Sequence, residues 1–209
     1  QQDLRRSGDF AEPGDRVNTF YAGAGLEGSF FPGVFHDVFA FGGFGSISRD
    51  RQIFSGFFGG GVRYYRKDAV SSRYDLRILR ATGEPGAGRF YSPPGGGSRQ
   101  FLPISRKDTG IVFSPRMGNM TLCEIGWSGK PREPLFVDLR GFAFWRSAAG
   151  PISEGGIDQE DDRDLFLGLE LDARAGWRFH SDFGASAGLG CFLPAAGSLG
   201  AFYDDSVRF

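Results

Sequence analysis

From Asp164 to His180 every odd position is apolar: Leu165, Leu167, Leu169, Leu171, Ala173, Ala175, Trp177 and Phe179. The even positions carry Asp164, Glu170, Asp172, Arg174, Arg178 and His180, with Phe166, Gly168 and Gly176 between them. A two-residue period sends successive side chains to opposite faces of an extended chain, so this stretch predicts a β-strand with one apolar and one charged face. Phe183, Ala185, Ala187, Leu189, Cys191 and Leu193 repeat the pattern after a short connection, which predicts a hairpin. Leu135, Val137, Leu139, Gly141, Ala143 and Trp145 oppose Asp138, Arg140 and Arg146, with Phe136, Phe142 and Phe144 among the latter. Thr121, Cys123, Ile125 and Trp127 oppose Glu124 and Gly126; Tyr74, Leu76 and Ile78 oppose Arg73, Asp75 and Arg77; Phe54, Phe58, Val62 and Tyr64 oppose Arg63. The expected strands lie near 17–31, 34–48, 52–66, 72–82, 110–127 (a break at Pro115 left open), 134–146, 164–180, 182–194 and 199–209. No composition break divides the chain, which reads as a single domain, 1–209, with an N-terminal extension, 1–16, and long loops at 83–106 and 148–163.

Strand length sharpens this picture. Strands of soluble domains run about 5–6 residues, whereas a strand crossing a bilayer needs about 9–11. Charges on one face and their absence from the other fit two architectures. In a soluble sandwich the apolar face meets a second sheet; in a membrane barrel it meets lipid and the charged face lines the interior. Tyr64, Tyr65, Trp127, Trp145, Trp177 and Phe179 fall near strand ends, as interfacial aromatic girdles require. The expectation is all-β: an antiparallel up-and-down transmembrane β-barrel of about 8–10 strands, with Leu165, Leu167, Leu169 and Leu171 facing lipid. The alternative is a soluble secreted β-sandwich that binds carbohydrate or protein. A membrane helix over 183–203 is disfavoured by its five glycines and Pro194.

Composition excludes several classes. There are 34 Gly in 209 residues, against a usual value of roughly 7%, together with 23 Phe, 6 Tyr and 3 Trp. Such glycine density opposes a mainly helical fold, and such aromatic density opposes disorder. A formal net charge of −1 argues against nucleic acid as a partner. Residues Gln1 to Arg6 lead into no apolar run, so no secretory leader is read there; a mature form, a fragment and a cytosolic chain stay open. Two cysteines, Cys123 and Cys191, are too few for a disulfide scaffold and read as free thiols on apolar faces.

No catalytic or metal motif is expected. His36 and His180 lack ligand spacing. No nucleophile elbow, phosphate loop or paired-cysteine motif occurs, so the chain reads as a non-enzyme without cofactor. The acidic run 158–164 reads as a solvated loop. Glu170 and Asp172 share a face about 7 Å apart by strand rise. Two carboxylates could serve hydrolysis, but Arg174 and Arg178 on the same face predict ion pairing. The candidate functional residues are the interior charges Arg63, Arg73, Arg77, Arg140, Glu170, Asp172, Arg174 and Arg178. Fixed arginines select anions and grip carboxylate or phosphate through a planar fork. They predict either a small channel for anionic solutes or a closed barrel filled by arginine–carboxylate pairs.

The run 164–202 resembles the last hairpin of alginate-export-type and related spirochaete outer-membrane barrels. The matching residues are Leu167-Gly168-Leu169-Glu170-Leu171-Asp172 and Phe192-Leu193-Pro194, with Gly150-Pro151-Ile152-Ser153-Glu154 similar to the preceding loop. The resemblance spans about 60 of the 209 residues; it does not extend to the N-terminal half, and alginate exporters are about twice this length. Phe209 at the chain end resembles the sorting signal read by the barrel-assembly machinery of bacteria. The resemblance implies residence in a bacterial outer membrane, with its lipid and that machinery as partners.

Overall fold

A computed structural model describes residues 2–3, 17–47, 51–83, 101, 109–149, 152 and 165–195. These residues form one antiparallel sheet and no helix. A two-residue strand, β1 (Gln2–Asp3), precedes eight long ones: β2 (Val17–Phe31), β3 (Val34–Ile47), β4 (Arg51–Tyr65), β5 (Arg73–Ala81), β6 (Met120–Arg132), β7 (Leu135–Arg146), β8 (Phe166–His180) and β9 (Phe183–Pro194). Each strand pairs with its neighbours in sequence, in the order β1 to β9. Among the described residues β9 pairs with β8 alone, so the sheet is up-and-down but not closed as a barrel. Nor does a second sheet cover either face among them, as a sandwich would require. The expected strand over 199–209 lies outside the described residues.

Short turns at Pro32-Gly33, 66–72, Glu133-Pro134 and Ser181-Asp182 gather at one rim of the sheet. Gly33 has φ +89°, and a Cβ there would stand 3.0 Å from the Tyr65 carbonyl oxygen, so this turn requires glycine. In the 66–72 turn, Asp68 Oδ1 accepts hydrogen bonds from the backbone N–H groups of Val70 (3.2 Å) and Ser72 (2.9 Å). The bonds from Ser72, with smaller help from Val70 and the Arg66 charge, hold the Asp68 carboxyl below the ordinary aspartate range. A lowered carboxyl value means that the charged form orders the turn above the ordinary aspartate value. That order is lost as pH falls through the folded-state value. Acid titration followed by NMR should therefore move the Val70 and Ser72 amide signals together, with a midpoint below that of a free aspartate.

The two faces differ as the alternation predicts. Outward rows carry Phe20 and Leu26 on β2, Phe44 and Val38 on β3, Phe54, Phe58 and Val62 on β4, Leu76 and Ile78 on β5, Ile125 on β6, Leu139 on β7, Leu169 and Leu171 on β8, and Leu189 on β9. All are exposed, Leu189 at 79%. Among the described residues, Arg80 towards the long-loop rim and Arg132 at the short-turn rim are the charged side chains on these outward rows. Aromatic pairs flank the band at both ends. Tyr64 stacks on Tyr74 (6.2 Å) and Trp177 meets Phe179 (6.4 Å) towards the short-turn rim; Phe44 meets Phe54 (5.4 Å) and Trp145 meets Phe166 (5.5 Å) towards the other.

One leucine departs from the expected face. Leu165, Leu169 and Leu171 are exposed, but Leu167 is fully buried. The register slips between Phe144, which pairs with Gly168, and Trp145, which pairs with Phe166. Gly168 absorbs the slip at φ +152°, a region that side chains other than glycine's rarely enter. The bulge turns Leu167 inward although the sequence alternates through it.

Leu79, Ala81, Met120, Leu122, Phe142, Phe144, Leu167 and Phe192 line the inner face towards the long-loop rim and form one buried cluster. Tyr21, Phe39 and Phe57 pack against it, so strands from β2 to β9 curl around a common centre. Phe101 fills this centre from outside the sheet, its ring 5.3 Å from that of Phe57. The expected strand over 110–127 is corrected here: pairing begins at Met120 and runs to Arg132, while 109–119 folds over the inner face as a non-strand segment. Pro115 cannot donate to a ladder, and Asn119 takes φ +53°, a conformation asparagine tolerates. The Asn119 side chain closes the corner, donating to the Ala148 carbonyl (3.0 Å) and accepting from the Ala148 N–H (2.9 Å).

Candidate functional site

The alternation that makes the outer face apolar delivers most of the long polar side chains of the strands to the inner face. Registers then decide which of them meet. Arg63, Asp75, Gly126, Arg140, Asp172 and Gly190 fall on one row across β4 to β9. Arg73, Ser128, Asp138, Arg174 and Gly188 form the next row towards the short-turn rim. Gly126 and Ser128 on β6 are short, so charged chains from β5 and β7 reach each other across it.

The result is a chain of alternating charges. Arg63 Nε donates to Asp75 Oδ1 (3.2 Å), and Arg73 Nε donates to Asp75 Oδ2 (2.9 Å). Arg73 Nη2 lies 4.0 Å from Asp138 Oδ2. Arg140 donates to both oxygens of Asp138, from Nε at 2.7 Å and Nη2 at 3.3 Å, and from Nη1 to Glu124 Oε1 at 2.5 Å. Three cations and three anions therefore cancel along Arg63–Asp75–Arg73–Asp138–Arg140–Glu124. Arg77 Nη2 approaches Asp37 Oδ1 at 4.0 Å. A cavity of about 200 Å³ lies among Asp37, Arg63, Arg73, Arg77, Glu124 and Arg140. It adjoins one of about 710 Å³ bordered by Glu27, Ser29, Phe35, Asp37, Arg63 and Arg77.

Glu170 and Asp172 behave differently from the expected ion pairs. Both are buried, at 0% and 5% exposure, while Arg174 is exposed. Among the described residues neither carboxylate bridges to Arg174 or Arg178. Their partners are backbone amides of the infolded segment. Glu170 Oε1 accepts from Val112 N–H (2.7 Å), Glu170 Oε2 from Phe113 N–H (2.9 Å), and Asp172 Oδ2 from Ile111 N–H (3.0 Å). Phe113 then inserts its ring 4.7 Å from Phe192 and 4.8 Å from Phe144. Three hydrogen bonds in succession, from consecutive backbone amides to the two carboxyl groups, anchor the segment to β8.

Of the eight interior charges singled out in the sequence, the fold joins Arg63, Arg73 and Arg140 in one network and sets Arg77 beside it. It buries Glu170 and Asp172 under the infolded segment and leaves Arg174 and Arg178 exposed towards the short-turn rim. The sequence reading missed the segment itself. Gly110 and Gly118 flanking an apolar run broken by Pro115 is the signal that could have shown it. Cys123 and Cys191 are free thiols, and no cluster of three or more potential metal ligands occurs among the described residues. No protein-family model matches the chain, and no curated protein is detectably similar to it.

Proposed function

We propose that this chain is a membrane-embedded β-barrel protein of a bacterial outer membrane, closed in its resting state. The observation that carries this reading is the outward face: exposed and apolar on eight consecutive strands, with its charged side chains confined to positions towards the two rims. Water rarely meets so large a contiguous apolar patch on a soluble monomer. From Phe20 to Phe30, or from Phe183 to Leu193, ten steps of about 3.4 Å give about 34 Å along the strand. A tilt of about 40° reduces this to about 26 Å, close to the apolar band of outer-membrane barrels. A spanning sheet leaves no backbone edge open to lipid, so the reading also requires the free edge of β9 to be covered, by the other edge of the sheet or by a further strand.

The closed state is favoured over an anion channel by two features. The arginines of the inner face are largely neutralised by carboxylates, so they make no ring of unpaired cations. Towards the long-loop rim the interior is filled by Phe101, Phe113, Met117, Phe144 and Phe192, which offer an ion nothing in place of water. Refolding from urea into lipid vesicles tests the reading. A protease-protected, lipid-dependent fold with little conductance is expected. A chain that folds as a monomer in detergent-free buffer and ignores vesicles would remove the membrane assignment and leave a soluble binding protein.

A further inference from the structure

Resting on that reading, we infer that segment 109–119 is a releasable inner gate, latched to β8 by the carboxylates of Glu170 and Asp172. The latch is built from groups that depend on one another. Two buried acids stand two residues apart on the same strand, and their hydrogen-bond donors are the successive N–H groups of Ile111, Val112 and Phe113. Asp172 Oδ1 is buried with no partner. Without the segment these carboxylates would need water, and without the carboxylates three amides would lose their acceptors. Release therefore exchanges one solvated arrangement for another: water entering along β8 and β9 hydrates both sides at once, which keeps the displacement reversible.

Close packing marks this contact. A Cβ on Gly110 would stand 2.5 Å from Glu170 Oε1. A Cβ on Gly190 would stand 2.8 Å from both Asp172 Oδ1 and Val112 Cγ2. Glycine at both positions lets the segment lie directly on the carboxylates and on β9. Arg116, further along the same segment, is exposed, so the segment reaches the surface within a few residues of its anchor. Lifting it withdraws Phe113 from between Phe144 and Phe192, and so removes part of the apolar fill that closes the interior.

Two variants test this by different routes. In E170Q/D172N the residue 170 amide keeps one acceptor oxygen where two backbone N–H groups need one each, so its NH2 group faces one of them, and both carboxylates are gone. In G110A the charges stay, but the new methyl group pushes the segment away from Glu170. Both are refolded into vesicles, checked for protease-protected strands, and assayed for tryptic cleavage after Arg116 and for conductance in planar bilayers. The expected result is cleavage faster by about tenfold or more in both variants, with conductance that the unmodified protein lacks. Unchanged cleavage in either correctly folded variant overturns the latch. Faster cleavage without conductance in inserted protein overturns the gate. A chain that refuses vesicles fails the membrane reading and the gate with it, while the cleavage comparison, made in detergent, still decides the latch.

Discussion

Leu171→Arg is expected to weaken folding into lipid vesicles by roughly 2–4 kcal/mol, the cost of a cation near the bilayer midplane on a barrel's outer face. Leu171 is 62% exposed and lies in mid-band, on a row with Ile125, Gly141 and Cys191. In a water-soluble protein such a substitution would fall within about 0.5 kcal/mol of neutral, because most of the side chain is uncovered. The size of the effect therefore reports the solvent this face meets. Ser186→Arg on β9 provides the control, since Ser186 pairs with Gly176 on the opposite face, close to the short-turn rim. Urea-dependent folding into vesicles, followed by Trp fluorescence, measures both. Equal stabilities for the two variants would show that the outward face does not meet lipid.

Arg140→Met should cost about 3–5 kcal/mol, the penalty for leaving buried charges without their partner. Among the described residues Arg140 is the hydrogen-bond donor that joins Asp138 and Glu124, whose side chains are each 8% exposed. Asp138 would keep a distant contact with Arg73, and Glu124 would face the 200 Å³ cavity. Arg140→Lys should recover part of the loss, because an ammonium restores the charge but cannot span both carboxylates as a planar fork does. Adding Asp138→Asn and Glu124→Gln to Arg140→Met should restore much of the stability by removing the stranded charges. Denaturant unfolding of these variants gives the comparison, and a loss below 1 kcal/mol for Arg140→Met would mean that water already solvates the network.

The strands were legible because period two is a local property. Leu169, Leu171, Ala173 and Ala175 alternate with Glu170, Asp172 and Arg174, and no tertiary partner is needed to place them on opposite faces. Seven of the eight long strands lie where the sequence reading puts them, within a few residues, although alternation is blurred over 17–31 and 34–48; β6 starts about ten residues later than expected, at Met120. The division into an apolar and a charged face was equally legible, and with it the eight interior charges. Their partners were not. Which arginine meets which carboxylate depends on register between strands, and Arg73 reaches Asp138 across an intervening strand because Gly126 and Ser128 leave room. Leu167 turned inward because of a bulge at Gly168, which shifts the face without changing the sequence pattern.

Sequence alone determined the all-β class and the division of the strands into an apolar and a charged face. The tertiary structure decided what fills the interior. Glu170 and Asp172 share their face with Arg174, and spacing along one strand favours that pairing. The fold instead presents the amides of Ile111, Val112 and Phe113, about sixty residues away in sequence, and buries both carboxylates beneath them. A backbone N–H carries no sequence signature, since every residue but proline has one. Its encounter with a distant carboxylate is therefore visible only once the chain has folded back on itself.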